Sequence, residues 1–457
     1  MASETTLVQH LDRLVTMDAQ DRELTDAYVV SVNGAIAAVG SGDPPEEHSQ
    51  GQVIDGRGLV ALPGLVNTHH HFFQTLTRVL PAAQDCRILD WMAANYPYWA
   101  KIDEEAVYDT ARVAVAELLL SGCSTSSDHL YAFPKNSGSP LQMLSAEITA
   151  AAELGMRFHP TRGAVDVSID AGGSPPKELV EDTDSVLASM EEALRRFHDP
   201  AAGSMCRLGL SPNSLTICTP RLMEESAALA RRHGLTLHTH VAEVIEEEEY
   251  CLEVFGKRPL ERLADLGWVA QDVWLAHVVH VDEIEIGFLA ERGCGVAHCP
   301  TSNMRLASGM APLYDMLDAK VAVGLGVDGS ASNDTGNVLA EARQALLLSR
   351  VRERDRLLSA RQALRIATVG GASVLKRDDI GQVAVGMQAD IAMYRLAGVS
   401  AAGAEHDPVA ALVMGQPPRV HHLLVKGRFA VKDGELARTS EQEIVARHRK
   451  TVRRLVG

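Results

Sequence analysis

The spacing of apolar residues changes character twice along the chain. Over the first 65 residues apolar positions fall in short runs, Thr6–Thr16, Tyr28–Val32, Ala35–Val39 and Leu59–Leu62, which read as strands. Asn33-Gly34 between two of these runs predicts a tight hairpin turn. From residue 66 to 375, strand-like runs alternate with segments of helical spacing. The strand-like runs are Ser124–Asp128, Met156–Arg162, Arg207–Leu210, Leu235–His240, Val273–His277, Gly295–His298 and Val321–Val327. Between and after them Glu104–Ser121, Leu141–Leu154, Asp182–Phe197, Pro220–His233, Leu260–Leu266, Asp282–Arg292, Ala340–Ser349 and Ala360–Leu375 carry helical spacing. Short strands then return in Gly381–Tyr394, Val420–Lys426 and Phe429–Val431. About eight strand–helix pairs predict an α/β fold: a (β/α)8 barrel over 66–375, with a second β module built from both chain ends, 1–65 and 376–457. In such a barrel the reactive groups sit at the C-terminal ends of the strands.

Chemistry-bearing residues collect at those ends. Leu62-Pro-Gly-Leu-Val-Asn-Thr runs into His69-His70-His71; residues i and i+2 of an extended segment share a face, so His69 and His71 can grip one metal ion while His70 points away. A surface run of histidines is the plainer explanation, but Leu62–Val66 before it and Phe72-Phe73 after it make the segment a core one. His240 closes Leu235-Thr-Leu-His-Thr, with His238 deeper in the same strand as a core histidine. His277 ends Val273-Trp-Leu-Ala and either binds the metal or orients water and substrate; His280 lies past the strand end and is the weaker candidate. Asp328 ends Val323-Gly-Leu-Gly-Val and reads as a ligand and proton acceptor rather than a simple Asp-Gly turn. Glu243, three residues after His240, can reach the space beside the metal and carry a proton from activated water to a substrate nitrogen. Glu246–Glu249 reads as a solvated helix start, since acids favour helix N-termini. Neither Met156–Arg162 nor Arg207–Pro212 contains Lys, which in carbamylated form often bridges two metals in binuclear hydrolases of this architecture. One divalent ion is therefore expected: zinc suits the N and O ligands, and ferrous iron fits the same set.

Bulk properties narrow the class. A formal charge of −17 argues against nucleic-acid or anionic-membrane partners, and no apolar run is long enough to span a bilayer. The opening Met-Ala-Ser-Glu-Thr-Thr lacks the basic stretch and apolar run of a signal peptide. Seven scattered cysteines without Cys-x-x-Cys predict reduced thiols in a cytoplasm; Cys299, next to His298, reads as packing.

The ordered set Pro63-Gly-Leu-Val-Asn-Thr-His-His-His, His238-Thr-His-Val-Ala-Glu243, Trp274-Leu-Ala-His277, His298-Cys-Pro-Thr-Ser-Asn303 and Gly326-Val-Asp-Gly-Ser-Ala-Ser-Asn333 resembles the mononuclear aminohydrolase branch of the amidohydrolase superfamily. The resemblance implies a distorted TIM barrel with a composite β-sandwich from the two termini. It implies His69, His71, His240 and Asp328 as metal ligands, Glu243, His277 and Asp328 as catalytic residues, and a homo-oligomer. Asn67–Arg78, Glu117–Thr125, Asp128–Tyr131, Asn303–Gly309 and Ser330–Asp334 are similar to the 8-oxoguanine deaminases, and isoxanthopterin deaminases and hydroxyatrazine or chlorotriazine hydrolases share much of this. Two stretches depart from the pattern: Leu210–Cys218, expected to touch the substrate ring, and His129-Leu-Tyr131, where a second His is expected. The expected reaction is hydrolytic deamination of a small amino-substituted heterocycle. For substrate contacts, Gln74 offers a donor and an acceptor to an amide-like ring edge, Arg162 reads either as a ring-carbonyl contact or as a structural ion pair, and Asn213 sits in the departing loop. Trp91, Tyr98 and Trp99 read as pocket wall or as packing.

Overall fold

The computed structural model describes residues 4–46, 51–353 and 355–457. The first three residues of the N-terminal segment read above lie outside this range. Eight parallel strands close into a barrel: β1 Leu65–Asn67, β2 Cys123–Leu130, β3 Arg157–Ala164, β4 Gly209–Pro212, β5 Thr236–Val241, β6 Val273–His277, β7 Gly295–His298 and β8 Ala322–Leu325. The strands follow one another in chain order around the ring, β8 closing on β1 through Leu325 and Asn67. Every residue of β1 to β4, β6 and β7 is buried, as expected of parallel strands covered on both faces.

Most of the expected helices form within a residue or two of their predicted ends, including Glu104–Leu120, Pro140–Leu154, Thr183–Phe197, Pro220–His233 and Glu283–Arg292. Asp103 caps the first of these by accepting the Ala106 N–H, and Gly122 follows its end at φ +92°, where a Cβ would lie 1.8 Å from the Tyr394 hydroxyl. The last expected helix is broken: Ala360–Arg365 continues through a wider π turn, Ile366–Gly370, into Gly371–Val374. There Gly371 passes so close to Val66 that a Cβ would meet it at 2.8 Å. Among the helices not anticipated are Ile88–Trp99, Ile245–Phe255 beyond its acidic start, and Glu441–Leu455, with the shorter Pro300–Arg305, Leu313–Asp318 and Pro408–Met414.

Two further sheets flank the barrel. One has four strands, Ala35–Ser41, Ala27–Val32, Thr5–Leu11 and Gln52–Asp55 in that order, and its hairpin turns at Asn33 (φ 52°) and Gly34 (φ 85°) as the Asn-Gly pair requires. The other interleaves both chain ends: Ile391–Arg395 pairs antiparallel with Leu59–Pro63, in register Ile391 to Pro63, and carries the C-terminal strands on its far side. Both sheets contribute to one core that includes Leu11, Val29, Ile54, Leu59, Ile391 and Leu424. The barrel is pinned to this module by a buried bidentate pair, Arg157 on β3 with Asp390 at 2.9 and 3.0 Å. No helix among the described residues is long and apolar enough to cross a membrane.

Candidate functional site

His69 and His71 follow β1 in an extended stretch that the neighbours hold in place. The Thr68 N–H donates to Leu325 O, the Asp328 N–H to His69 O, and the His129 N–H to His70 O. Each imidazole is then fixed by its outward nitrogen. His71 Nδ1–H donates to His129 O at 2.8 Å, and His240 Nδ1–H donates to Asn213 O at 2.9 Å. His238 Nδ1–H donates to Trp274 O at 2.9 Å, which leaves its Nε2 to accept from His69 Nδ1 at 2.8 Å. These partners place all three protons on Nδ1 and turn three Nε2 lone pairs inward. His238 is thus a core histidine whose work is to hold His69.

The inward atoms converge. His71 Nε2 lies 3.2 Å from His240 Nε2, and Asp328 Oδ1 lies 3.2 Å from His69 Nε2 and 3.3 Å from His71 Nε2. His69 Nε2 is buried and has no hydrogen-bond partner. Two lone pairs facing at 3.2 Å beside a carboxylate, with no proton left to share, repel unless a cation lies between them. Burial lowers the pKa of His69, His71 and His240, keeping the rings neutral. The Asp328 carboxyl is held well below its usual range against the cost of burial, and so is ionised. Its other oxygen accepts from the Ser302 hydroxyl at 2.5 Å and the Ser332 hydroxyl at 2.9 Å. Neutral imidazoles and an ionised carboxylate are the protonation states a divalent metal requires, and the site suits one.

Glu243 and His277 stand beside this cluster, with Glu243 Oε2 3.7 Å from His277 Nε2. Asn303 Oδ1 accepts from His277 Nδ1 at 2.9 Å, fixing the ring. Burial raises the Glu243 carboxyl to about 6, against a lowering pull from His277. The backbone bends sharply here: Ala242, His277, Val278 and Asp328 have φ of 50°, 72°, 49° and 60°. For β-branched Val278 this is a true outlier, and such strain of about 1–3 kcal/mol per residue gathers where geometry serves function.

Above the cluster opens a cavity of about 350 Å³ that reaches His71, His240, Glu243, His277 and Asp328. Gln74 and Asn213 are on its wall. Gln74 packs on Gly329 so tightly that a Cβ there would sit 1.8 Å from its Oε1. Trp91 also lines the cavity; Trp99 is fully buried behind it, and Tyr98 stays outside. Arg162 does not reach the cavity. The strand β3 runs on to Ala164, so Arg162 lies inside it and faces the helical layer, where it pairs with Glu181 at 2.6 Å, donates to the Ser189 hydroxyl and covers the Phe133 ring. Of the two roles open to it, the structural ion pair is the one formed.

The sequence reading missed two residues. His129, at the departing His-Leu-Tyr, turns into the barrel, stacks on His240 at 5.0 Å and donates through Nε2 to Ser211 O, leaving Nδ1 without a partner. Its parity with Ser127 on a strand-like run was the available signal. Glu247 is buried and lines the cavity instead of standing in solvent. The outlying trio His421, His422 and Asp433 has spacing for a metal, yet one nitrogen of each ring is already committed: His422 Nδ1 accepts the Asp433 N–H and Arg395 donates to His421 Nε2.

Residues 60–430 match the model of the Amidohydrolase family. The chain is 40% identical to an 8-oxoguanine deaminase of Pseudomonas aeruginosa over 97% of its own length and 98% of that protein. It is 36% identical to an isoxanthopterin deaminase from an unknown prokaryotic organism, covering 88% and 87% of the two. Among solved structures, the atrazine chlorohydrolase of Arthrobacter aurescens complexed with zinc superposes with a TM-score of 0.93 at 33% identity, over 98% of this chain and all of that one.

Proposed function

The chain belongs to the amidohydrolase family, as a hydrolytic deaminase acting on C–N bonds of heterocycles, and from that premise we propose that its substrate is 8-oxoguanine, converted to urate with release of ammonia. In this reading one zinc ion is held by His69, His71, His240 and Asp328, with ferrous iron the other metal the donors accept. The observation that carries the reading is the juxtaposition of three inward Nε2 lone pairs and Asp328 with a raised-pKa carboxyl, Glu243, on the floor of one cavity.

The metal supplies Lewis acidity that brings the pKa of water toward about 7. Glu243 takes a proton from the attacking water and sets it on the ring nitrogen beside the C–NH₂ carbon, which makes that carbon electrophilic. His277, held by Asn303, keeps its Nε2 free as an acceptor and orients the water. Asp328, an ionised acceptor steadied by Ser302 and Ser332, takes the remaining proton of the hydroxyl formed on the attacked carbon and passes it to the amino group, whose C–N bond breaks to release ammonia. Gln74 and Asn213 meet the ring edge.

The walls favour an uncharged base. No Lys or Arg lines the cavity among the described residues, whereas Glu243, Glu246, Glu247 and Asp328 do; Arg87 at the rim is spent on Glu246 at 2.9 Å. A carboxylate or phosphate tail would find no partner there. A two-ring base fits a space of about 350 Å³. The likeness to a triazine hydrolase and the apolar wall of Ile88, Leu89 and Met92 keep a second reading open, with an alkylamine or chloride on an s-triazine as leaving group. Assaying the zinc-loaded protein with 8-oxoguanine, isoxanthopterin and hydroxyatrazine separates them. Ammonia from 8-oxoguanine with the highest kcat/KM is expected; ethylamine from hydroxyatrazine at a higher kcat/KM would replace the purine by a triazine.

A further inference from the structure

Glu247 has no part in the chemistry described so far, yet it touches the one stretch of main chain on which that chemistry depends. Between the end of β5 at Val241 and the helix that begins at Ile245, the chain must reverse and launch Glu243 toward His277. The turn is made by Ala242 in the left-handed region, φ 50°. The Glu243 carboxylate itself accepts no hydrogen bond from the described residues; His277 Nε2 lies 3.7 Å from it. The direction of that side chain is therefore set by its backbone.

The peptide joining Ala242 to Glu243 is held at both ends. Its carbonyl, on Ala242, accepts the N–H groups of Val279 and His280, both at 2.9 Å. Its N–H, on Glu243, donates to Glu247 Oε2 at 3.1 Å. The carbonyl clamp comes from the residues just after His277, in the same strained turn where His277 and Val278 have φ of 72° and 49°. One peptide plane thus registers Glu243 against His277, and Glu247 supplies its second fixing point. We propose that Glu247 is a positioning residue, holding the Ala242–Glu243 peptide so that the Glu243 carboxylate faces His277 and the reacting ring.

An ordinary helix cap would explain the hydrogen bond but not the setting. A first-turn Glu reaching back to main-chain N–H groups is common, and Val244 offers no side-chain cap of its own. A capping carboxylate normally stays in water. Glu247 is 7% exposed, lines the cavity, and leaves Oε1 buried with no partner. Burial holds its carboxyl up at about 8, so it adds no second negative charge beside Glu243 near neutral pH. Burying an unsatisfied acid lowers stability, a cost that local rules predict only at functional sites.

The inference rests on Glu243 as proton carrier, and the test separates the two. Glu247→Ala and Glu247→Gln are compared with the parent, all zinc-loaded, by kcat and KM on 8-oxoguanine, by zinc content, and by hydrogen exchange at the Glu243 amide. In the Ala variant kcat should fall by about 30- to 100-fold, as a misplaced catalytic group implies, with KM within about threefold and zinc unchanged. Its Glu243 amide should exchange at least about tenfold faster. The Gln variant, whose amide oxygen can accept the same N–H, should recover most of both. Wild-type kcat in the Ala variant, or equal losses in Ala and Gln, overturns the proposal. If the parent turns over no heterocycle, the substrate reading is lost, but the amide still decides: protection unchanged in the Ala variant overturns the positioning role, and protection lost in Ala but kept in Gln supports it. Should the Ala variant fail to fold, Glu247→Met, of similar volume and without an acceptor oxygen, takes its place.

Discussion

A carboxyl that must take up a proton and return it within one turnover needs a pKa near the working pH, and burial brings Glu243 to about 6. His277 pulls the other way, and so does any cation bound by the His cluster, so the acid limb of activity should lie at or below that value. The active form is the carboxylate; it is present above its pKa and lost as pH falls through it. A plot of log kcat/KM against pH should therefore fall with unit slope on the acid side at about 6 or lower. Glu243→Gln should abolish that limb and lower kcat by about 10²–10⁴-fold with zinc content unchanged; normal turnover in this variant would defeat the assignment. Legibility at this scale depended on parity and strand length. His69, His71 and His240 could be read because flanking apolar residues fix which way an extended segment faces. Arg162 could not, because β3 runs past it to Ala164 and its outward face is set by Glu181 and Ser189, which are distant in sequence. Glu247 was hidden among acids of identical type, and only the docking of its helix against the barrel mouth shows which one turns inward.

The elements that carry the site are rigid strands with strained ends, and the layer behind them holds a second pair of acids. Asp128 on β2 and Glu147 on the helix Pro140–Leu154 are both buried and face each other. Burial raises Asp128 to about 7 and drives Glu147 well above its ordinary range, with the charge of Asp128 adding to the shift. In the folded state these groups hold protons that the unfolded chain releases from about pH 4 to 4.5 upward. Stability should then fall as pH rises from there through the folded values, the sign expected for acids with raised pKa. Glu147→Gln removes one titrating group and supplies an amide donor to Asp128. Its melting temperature should exceed that of the parent by about 1–3 °C at pH 8 and by less at pH 5; a gain equal at both values would show that the pair is not protonated. The alternating pattern made most of these strands and helices readable, since a half-buried helix or a buried strand writes its period directly into the chain. Ile245–Phe255 was less so, because four successive acids at its start mask the apolar face behind them.

At the scale of the whole molecule, the two chain ends do different work. The strands Leu59–Pro63 and Ile391–Arg395 pair within one sheet, and short apolar runs at both ends foretold such a module. The final helix, Glu441–Leu455, is hard to read from its sequence: nearly half of its residues are charged, and it fully buries only Ile444 and Thr451. It leaves the sandwich and docks on the barrel helix Glu104–Leu120, with Ile444 in the core, Val452 and Leu455 packed against a second apolar cluster, and a set of polar contacts beside them. Asp109, 3% exposed, accepts from Arg447 at 2.8 Å and from Thr451 at 2.7 Å, and Glu443 answers Arg112 at 2.9 Å. The contact leads to the site, since the Thr75 hydroxyl donates to Thr110 O at 3.2 Å and Thr75 adjoins Gln74 on the cavity wall. His448 reaches the Thr75 main chain from the docked helix as well. Removing residues 441–457 should leave Asp109 buried without its partners, a loss of about 1–3 kcal/mol or more, and should loosen the segment that bears Gln74. The proposed metal donors follow β1, lie on β5 and follow β8, and the helix makes no hydrogen bond to any of them, so zinc stoichiometry should be kept. The expected outcome is a lower melting temperature with KM raised more than kcat is lowered; a truncated chain with the parent's melting temperature and KM would show that the helix is a passive appendage.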